Sequence, residues 1–108
     1  MAIKANIVID QGTDFTTTIN VADDAGDPVD LSTYTGAAQM RKHFTSTNSF
    51  AFSVSASSLG VVTLSMNNSV TANITAGRYV YDCELTDSSN TVSRLVEGIV
   101  TVTPNVTR

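Results

Sequence analysis

Cys83 and His43 are the side chains best suited to nucleophilic or metal chemistry, and each is the sole residue of its type in the chain. A nucleophilic pair needs the imidazole beside the thiol, and no motif joins the two positions. Cys83 falls within the alternation Tyr79, Tyr81, Cys83, Leu85, where a lone thiol reads as a small buried hydrophobe. His43 follows Arg41 and Lys42 at the end of an expected strand. Zinc takes four ligands from Cys and His at recognisable spacing, and that spacing is absent. One cysteine also excludes an intrachain disulfide, so packing alone must hold the fold. Asp23, Asp24, Asp27 and Asp30 form the densest charge cluster and the place to look for Ca²⁺. The alternating oxygen ligands and bidentate glutamate of an EF-hand loop are missing, which favours a solvated turn over a weak ion site. Asp82 and Glu84 sit at strand spacing, but a glycosidase pair needs a cleft and one raised pKa. They are expected to face outward and pair with Arg41, Lys42 or Arg94.

No glycine-rich phosphate loop, GxSxG elbow or HExxH occurs. A formal net charge of −4 argues against nucleic acid as partner, because phosphate affinity comes from clustered Lys and Arg. The basic triplet Arg41-Lys42-His43, with Phe44 beside it, reads as a strand end. No apolar run reaches the ~20 residues that cross a bilayer, so no membrane role is expected. The start MAIKANIVID lacks a signal-peptide core, and the expectation is a mature chain beginning there. The sequons at Asn67, Asn73 and Asn105 then carry no glycan. No catalytic, cofactor-binding or metal-binding residue is assigned, and the chain is not expected to be an enzyme.

The elements behind these residues follow from composition and period. The chain is 42% hydrophobic but only 15% charged, against the ~25% usual for soluble domains. Its abundant Val, Thr and Ser favour strands, since β-branched side chains fit the pleat and lose rotamer freedom in a helix. Alternating runs recur between turn residues: Ala2 to Ile9, Phe15 to Val21, Tyr34 to Phe44, Phe50 to Val54, Val61 to Met66, Arg78 to Thr86 and Thr91 to Val102. Val29 and Leu31 form a short apolar return. Ala38, Met40 and Phe44 are expected on one face, and Asn67 to Ile74 allows one helical turn. Gly98, inside the last strand, points to a bulge or to a strand buried on both faces. The pattern predicts a single all-β domain over 1–108, an immunoglobulin-like antiparallel β-sandwich of about seven or eight strands.

Ile74-Thr75-Ala76-Gly77-Arg78-Tyr79-Val80-Tyr81 narrows this. A glycine just before a strand opening Tyr-x-Tyr resembles the tyrosine corner of immunoglobulin-like domains, where a hydroxyl bonds back to the preceding loop. Gly77 and Tyr79 or Tyr81 are the expected corner residues.

The order of motifs extends the likeness. Asp14-Phe15-Thr16-Thr17-Thr18-Ile19-Asn20-Val21, Asp24-Ala25-Gly26-Asp27-Pro28-Val29-Asp30-Leu31-Ser32 and Ala38-Gln39-Met40-Arg41-Lys42 fill the first half. Gly60-Val61-Val62-Thr63-Leu64-Ser65, Ala76-Gly77-Arg78-Tyr79-Val80-Tyr81-Asp82 and Arg94-Leu95-Val96-Glu97-Gly98-Ile99-Val100-Thr101-Val102-Thr103-Pro104 fill the second. Together, over roughly residues 10 to 104, they resemble small immunoglobulin-like virion proteins of tailed bacteriophages, of the cyanobacterial myovirus type. The pattern is similar to the N-terminal domain of phage baseplate upper proteins, whose receptor-binding C-terminal region has no counterpart in this sequence. The resemblance implies a non-enzymatic virion building block made in the host cytoplasm. Its partners would be other virion proteins in a symmetric homo-oligomeric or lattice setting, without cofactors. A tail or baseplate component that attaches or supports fibres is the first expectation, and a capsid decoration protein is the alternative. A carbohydrate-binding module is a third, and would require Tyr34, Phe44 and Phe50 exposed as one flat patch. The tails, 1–10 and 105–108, are the expected partner-contacting segments, with Ile3, Ile7 and Ile9 as candidate contacts.

Overall fold

The computed structural model describes residues 3–22 and 25–106. Among the described residues, eight strands and one helical turn follow in order: β1 (Ile3–Lys4), β2 (Ile7–Asp10), β3 (Phe15–Asn20), β4 (Thr35–Arg41), β5 (Phe50–Ala56), β6 (Val61–Met66), α1 (Asn68–Thr71), β7 (Gly77–Thr86) and β8 (Val92–Thr103). The fold is an all-β, immunoglobulin-like sandwich. One layer has β8, β7 and β4 at its centre, and the other pairs β6 with β3.

Period-2 alternation builds both layers, because successive side chains of a strand point to opposite faces. Val62, Leu64 and Met66 of β6 are buried, as are Tyr79, Tyr81, Cys83 and Leu85 of β7. Phe15, Thr17 and Ile19 of β3 lean inward while Thr16, Thr18 and Asn20 are exposed. Rings link the layers: Phe52 of β5 lies 6.0 Å from Phe15 of β3 and 6.2 Å from Tyr81 of β7, centroid to centroid. Both pairs are inclined, the arrangement ring quadrupoles favour.

Strand β5 belongs to both layers. Its first half pairs antiparallel with β4, Phe50 opposite Met40 and Phe52 opposite Ala38. Its second half pairs with β6, Ser53 opposite Ser65 through Ala56 opposite Val62. This crossing closes one side of the sandwich. At the other side the chain passes between layers through the turn after β2, where Thr13 donates both N–H (3.2 Å) and hydroxyl (2.7 Å) to the Asp10 carbonyl.

The sandwich is antiparallel except along one edge, where β1 and β2 run parallel to β8. The phase switch in β8 falls at Leu95, not Gly98. Cys83 pairs with Val96 and Glu84 with Arg94, so Leu95 is the extra residue. Val96, Val100 and Val102 then face the core while Ile99 is exposed. Strand β4 stops at Arg41, which takes Phe44 off the strand. Its expected place beside Ala38 and Met40 is therefore lost, and it stands 85% exposed. Val29 and Leu31 form no strand; Leu31 is nonetheless buried, and Ala22 and Pro28 make an isolated bridge.

The helical turn is held from both sides. Asn67 caps it by accepting the Val70 N–H on Oδ1 at 3.1 Å, which satisfies one orphan donor of the first turn. Asp14 Oδ1 accepts from the Asn68 backbone (2.8 Å) and side chain (2.9 Å). Thr71, wholly buried, donates its hydroxyl to the Thr13 carbonyl at 2.7 Å.

Candidate functional site

Gly77 opens β7 at φ +146°, a backbone region that side chains disfavour. A Cβ there would stand 2.9 Å from Lys42 Nζ. Two residues on, the Tyr79 hydroxyl donates to the Thr75 carbonyl at 2.6 Å. This hydroxyl-to-loop bond is the geometry of a tyrosine corner, and it ties the entry of β7 to the turn after α1. Phe50 meets the Tyr79 ring edge-on at 6.4 Å, and Lys42 Nζ lies 5.0 Å from the ring centre. Burial raises the Tyr79 hydroxyl above its ordinary pKa.

Tyr81 makes a different connection. Its hydroxyl donates to the carbonyl of Ala5 at 2.6 Å, reaching the gap between β1 and β2. There the parallel ladder is bridged by hand: Ala5 N–H donates to the Glu97 carbonyl at 2.9 Å, and Ile99 N–H donates to the Asn6 side chain at 3.1 Å. Gly98 permits the crossing, since any Cβ there would overlap the Ala5 carbonyl. Sequence reading missed this clamp; its one visible sign is a glycine within an apolar strand. Burial, with the neighbouring Cys83 sulfur adding to it, pushes the Tyr81 pKa up to about 12.

The clamp changes the reading of the leading segment. Ile9 is wholly buried in the chain's own core and Ile7 packs against that core, while Ile3 stays 50% exposed. The expected role of Ile9 as a partner contact is corrected on this ground, its side chain being wholly spent on the core, while Ile7 is half-buried against that core. Ile3 keeps surface to offer.

Cys83 points inward with no exposed surface. Burial first, then the negative charges of Asp82 and Glu84, push its pKa up to about 11, so the thiol stays protonated and unreactive at neutral pH. His43 is exposed in the loop after β4, where its backbone N–H donates to Ser46 Oγ at 3.0 Å. Cys83 is in register with Ala38, well back along β4 from that loop, so the structure does not bring the two together.

Of the acidic cluster, Asp23 and Asp24 lie outside the described residues. Asp27 and Asp30 are exposed. The Ser32 backbone N–H donates to Asp30 Oδ1 at 2.9 Å. That bond, with help from the Ser32 hydroxyl and against slight burial, lowers the Asp30 pKa. The local role is a turn brace of the kind Asp commonly builds.

Outward-facing side chains of β4, β7 and β8 make a featured surface. Gln39, Arg41, Val80, Asp82, Glu84, Arg94 and Glu97 line a shallow concavity with Phe44 at its rim. Arg94 reaches Asp82 at 3.5 Å and Glu97 at 3.7 Å. Arg41 is instead fixed by neutral acceptors, Ser46 O (2.7 Å) and Gln39 Oε1 (2.9 Å). The aromatic side chains do not make a flat patch: Tyr34 and Phe50 pack against the core, leaving Phe44 alone in solvent.

No protein-family profile matches the chain, and no curated protein matches it. Among solved structures, it is similar to part of an internalin-like protein of Listeria monocytogenes, with 15% identity and TM-score 0.46 over 96% of this chain and 28% of that one. It is also similar to part of a family 123 glycoside hydrolase of Clostridium perfringens, with 11% identity and TM-score 0.46 over 97% of this chain and 24% of that one. The chain thus spans about a quarter of the length of these solved chains.

Proposed function

We propose that this chain is a non-enzymatic structural protein of a tailed-bacteriophage virion, a tail or baseplate component that attaches or supports fibres through protein–protein contacts. What carries the reading is the joint order of motifs over residues 10 to 104. That order resembles small immunoglobulin-like virion proteins, whose sandwich architecture is the one these residues build. The surface adds support. The thiol and most apolar bulk are committed to the core, while Ile3, Val8, Phe44 and Ile99 stand 42–85% exposed. Val8 and Ile99 lie on the neighbouring strands β2 and β8, and repeated copies in a symmetric particle bury matching surface of this kind.

The test is quantitative mass spectrometry of purified virions encoded by the genome that carries this sequence. The expected result is a fixed stoichiometry of many copies per particle, with antibody labelling on the tail or baseplate. Labelling on the head surface would replace this reading with a decoration protein. Absence from washed particles, with the chain free in the lysate, would overturn a virion role.

A further inference from the structure

The outward face of β7 carries a charge pattern that complements its own reverse. Its outward residues run Arg78, Val80, Asp82, Glu84, between the inward Tyr79, Tyr81, Cys83 and Leu85. Positive, apolar, negative: turned end for end, Arg78 meets Asp82 and Val80 meets itself. Strand β8 follows the scheme in part, with Ile99 and Glu97, whereas β4 places the cation Arg41 at the apolar level. Val80 is in register with Ile99 on β8 and Arg41 on β4, Asp82 with Glu97 and Gln39, and Arg78 with Thr101. Val8 on β2 stands beside Thr101. The apolar side chains Val8 (62% exposed), Ile99 (42%) and Phe44 (85%) are open to solvent.

We propose that this face is the interface of a two-fold homodimer in which β7 of one chain lies antiparallel across β7 of a second copy. Val80 and Ile99 meet their own counterparts near the axis, and Arg78 of each chain faces Asp82 of the other. An isologous contact demands such self-complementarity, since each patch meets itself. The same rotation sets Arg41, in register with Val80, beside its own counterpart, each guanidinium already engaged by the Ser46 carbonyl and Gln39 Oε1. A two-fold running along β7 would instead set Arg78 over Arg78 and Asp82 over Asp82, like-charge contacts at both levels that oppose association. In the antiparallel arrangement Asp82 and Glu97, which share Arg94 within each chain at 3.5 and 3.7 Å, leave net negative charge for Arg78 to meet. The second copy also covers the Phe44 rim. The association depends on this face alone and not on any location in a particle.

Sedimentation equilibrium from micromolar to millimolar protein reads the result, with circular dichroism and urea midpoints verifying that each variant is folded. The wild type is expected to dimerise. Arg78→Asp and Asp82→Arg alone should each raise the dimer dissociation constant by about tenfold or more, because like charges then face each other twice per dimer. Both changes in one chain reverse the pattern while keeping it self-complementary, and should restore dimerisation. A monomeric wild type throughout this range, single reversals without effect, or a double variant no better than the singles would each overturn the proposal.

Discussion

Replacing Gly98 with alanine probes the least conspicuous joint of the fold. The new Cβ would occupy the place of the Ala5 carbonyl and press on the Asn6 side chain, 3.1 Å away. Since β8 is held on its other side by β7, the leading segment is the part that must give. Its displacement breaks three hydrogen bonds: Ala5 N–H to Glu97, Ile99 N–H to Asn6 and Tyr81 hydroxyl to Ala5. At about 1 kcal/mol net each, Gly98→Ala costs about 3 kcal/mol. Tyr81→Phe removes only the last of these, about 1 kcal/mol. In the double variant that bond is already gone, so the two effects should fall short of additivity by about 1 kcal/mol. Urea unfolding of the four proteins measures the cycle. Amide exchange at Ala5 and Ile99 should quicken in Gly98→Ala while exchange in β6 is unchanged. A loss below about 0.5 kcal/mol, the level of an ordinary surface change, or strict additivity would refute the clamp.

Other consequences are read with the same tools. Tyr79→Phe should cost about 1 kcal/mol by removing the bond to Thr75, measured as a shift in urea midpoint at unchanged m-value. Asn67→Ala should cost about 1 kcal/mol through loss of the helix cap. Native Cys83 should resist a thiol reagent at pH 8 and react fully in denaturant, as its pKa of about 11 requires. Folding raises both the Cys83 pKa, from 9.0 to about 11, and the Tyr81 pKa, from 10.0 to about 12. The stability tied to these groups is therefore complete below pH 9 and is lost as pH rises to 11 and 12. The slope is at most about 1.4 kcal/mol per pH unit per group. Urea titrations at alkaline pH should show this decline, and Cys83→Val together with Tyr81→Phe should flatten it.

Strands β3, β6 and β7 were legible because one face of each is buried, and a buried face leaves a period of two in the sequence. The helical turn within Asn67 to Ile74 was legible from the break in alternation, whereas the capping role of Asn67 was not read from the sequence. Pairing partners were not, since register and direction depend on distant segments. Nothing local distinguishes Ile7 and Ile9 docking parallel on their own β8 from the same residues docking on another chain. Gly98 carried a signal with two physical sources, a bulge or a close approach, and only the position of Ala5 separates them. Tyr79 and Tyr81 looked interchangeable as corner residues. In the fold each hydroxyl finds its own carbonyl, one local and one at the chain's start. Phe44 continued an apolar pattern that ended when β4 lost its partner. The outward face was visible as alternating charge, but its order around Val80 gains meaning only once Ile99 and Glu97 lie alongside.

The most direct test of the central claim, that this sandwich serves by docking within a phage particle, is a near-atomic electron-microscopy map of the virion. The account predicts repeated copies of this fold on the tail or baseplate, with exposed groups such as Ile3, Phe44 or Ile99 covered by neighbouring subunits. A complete map of the particle in which no density accommodates the chain would contradict it.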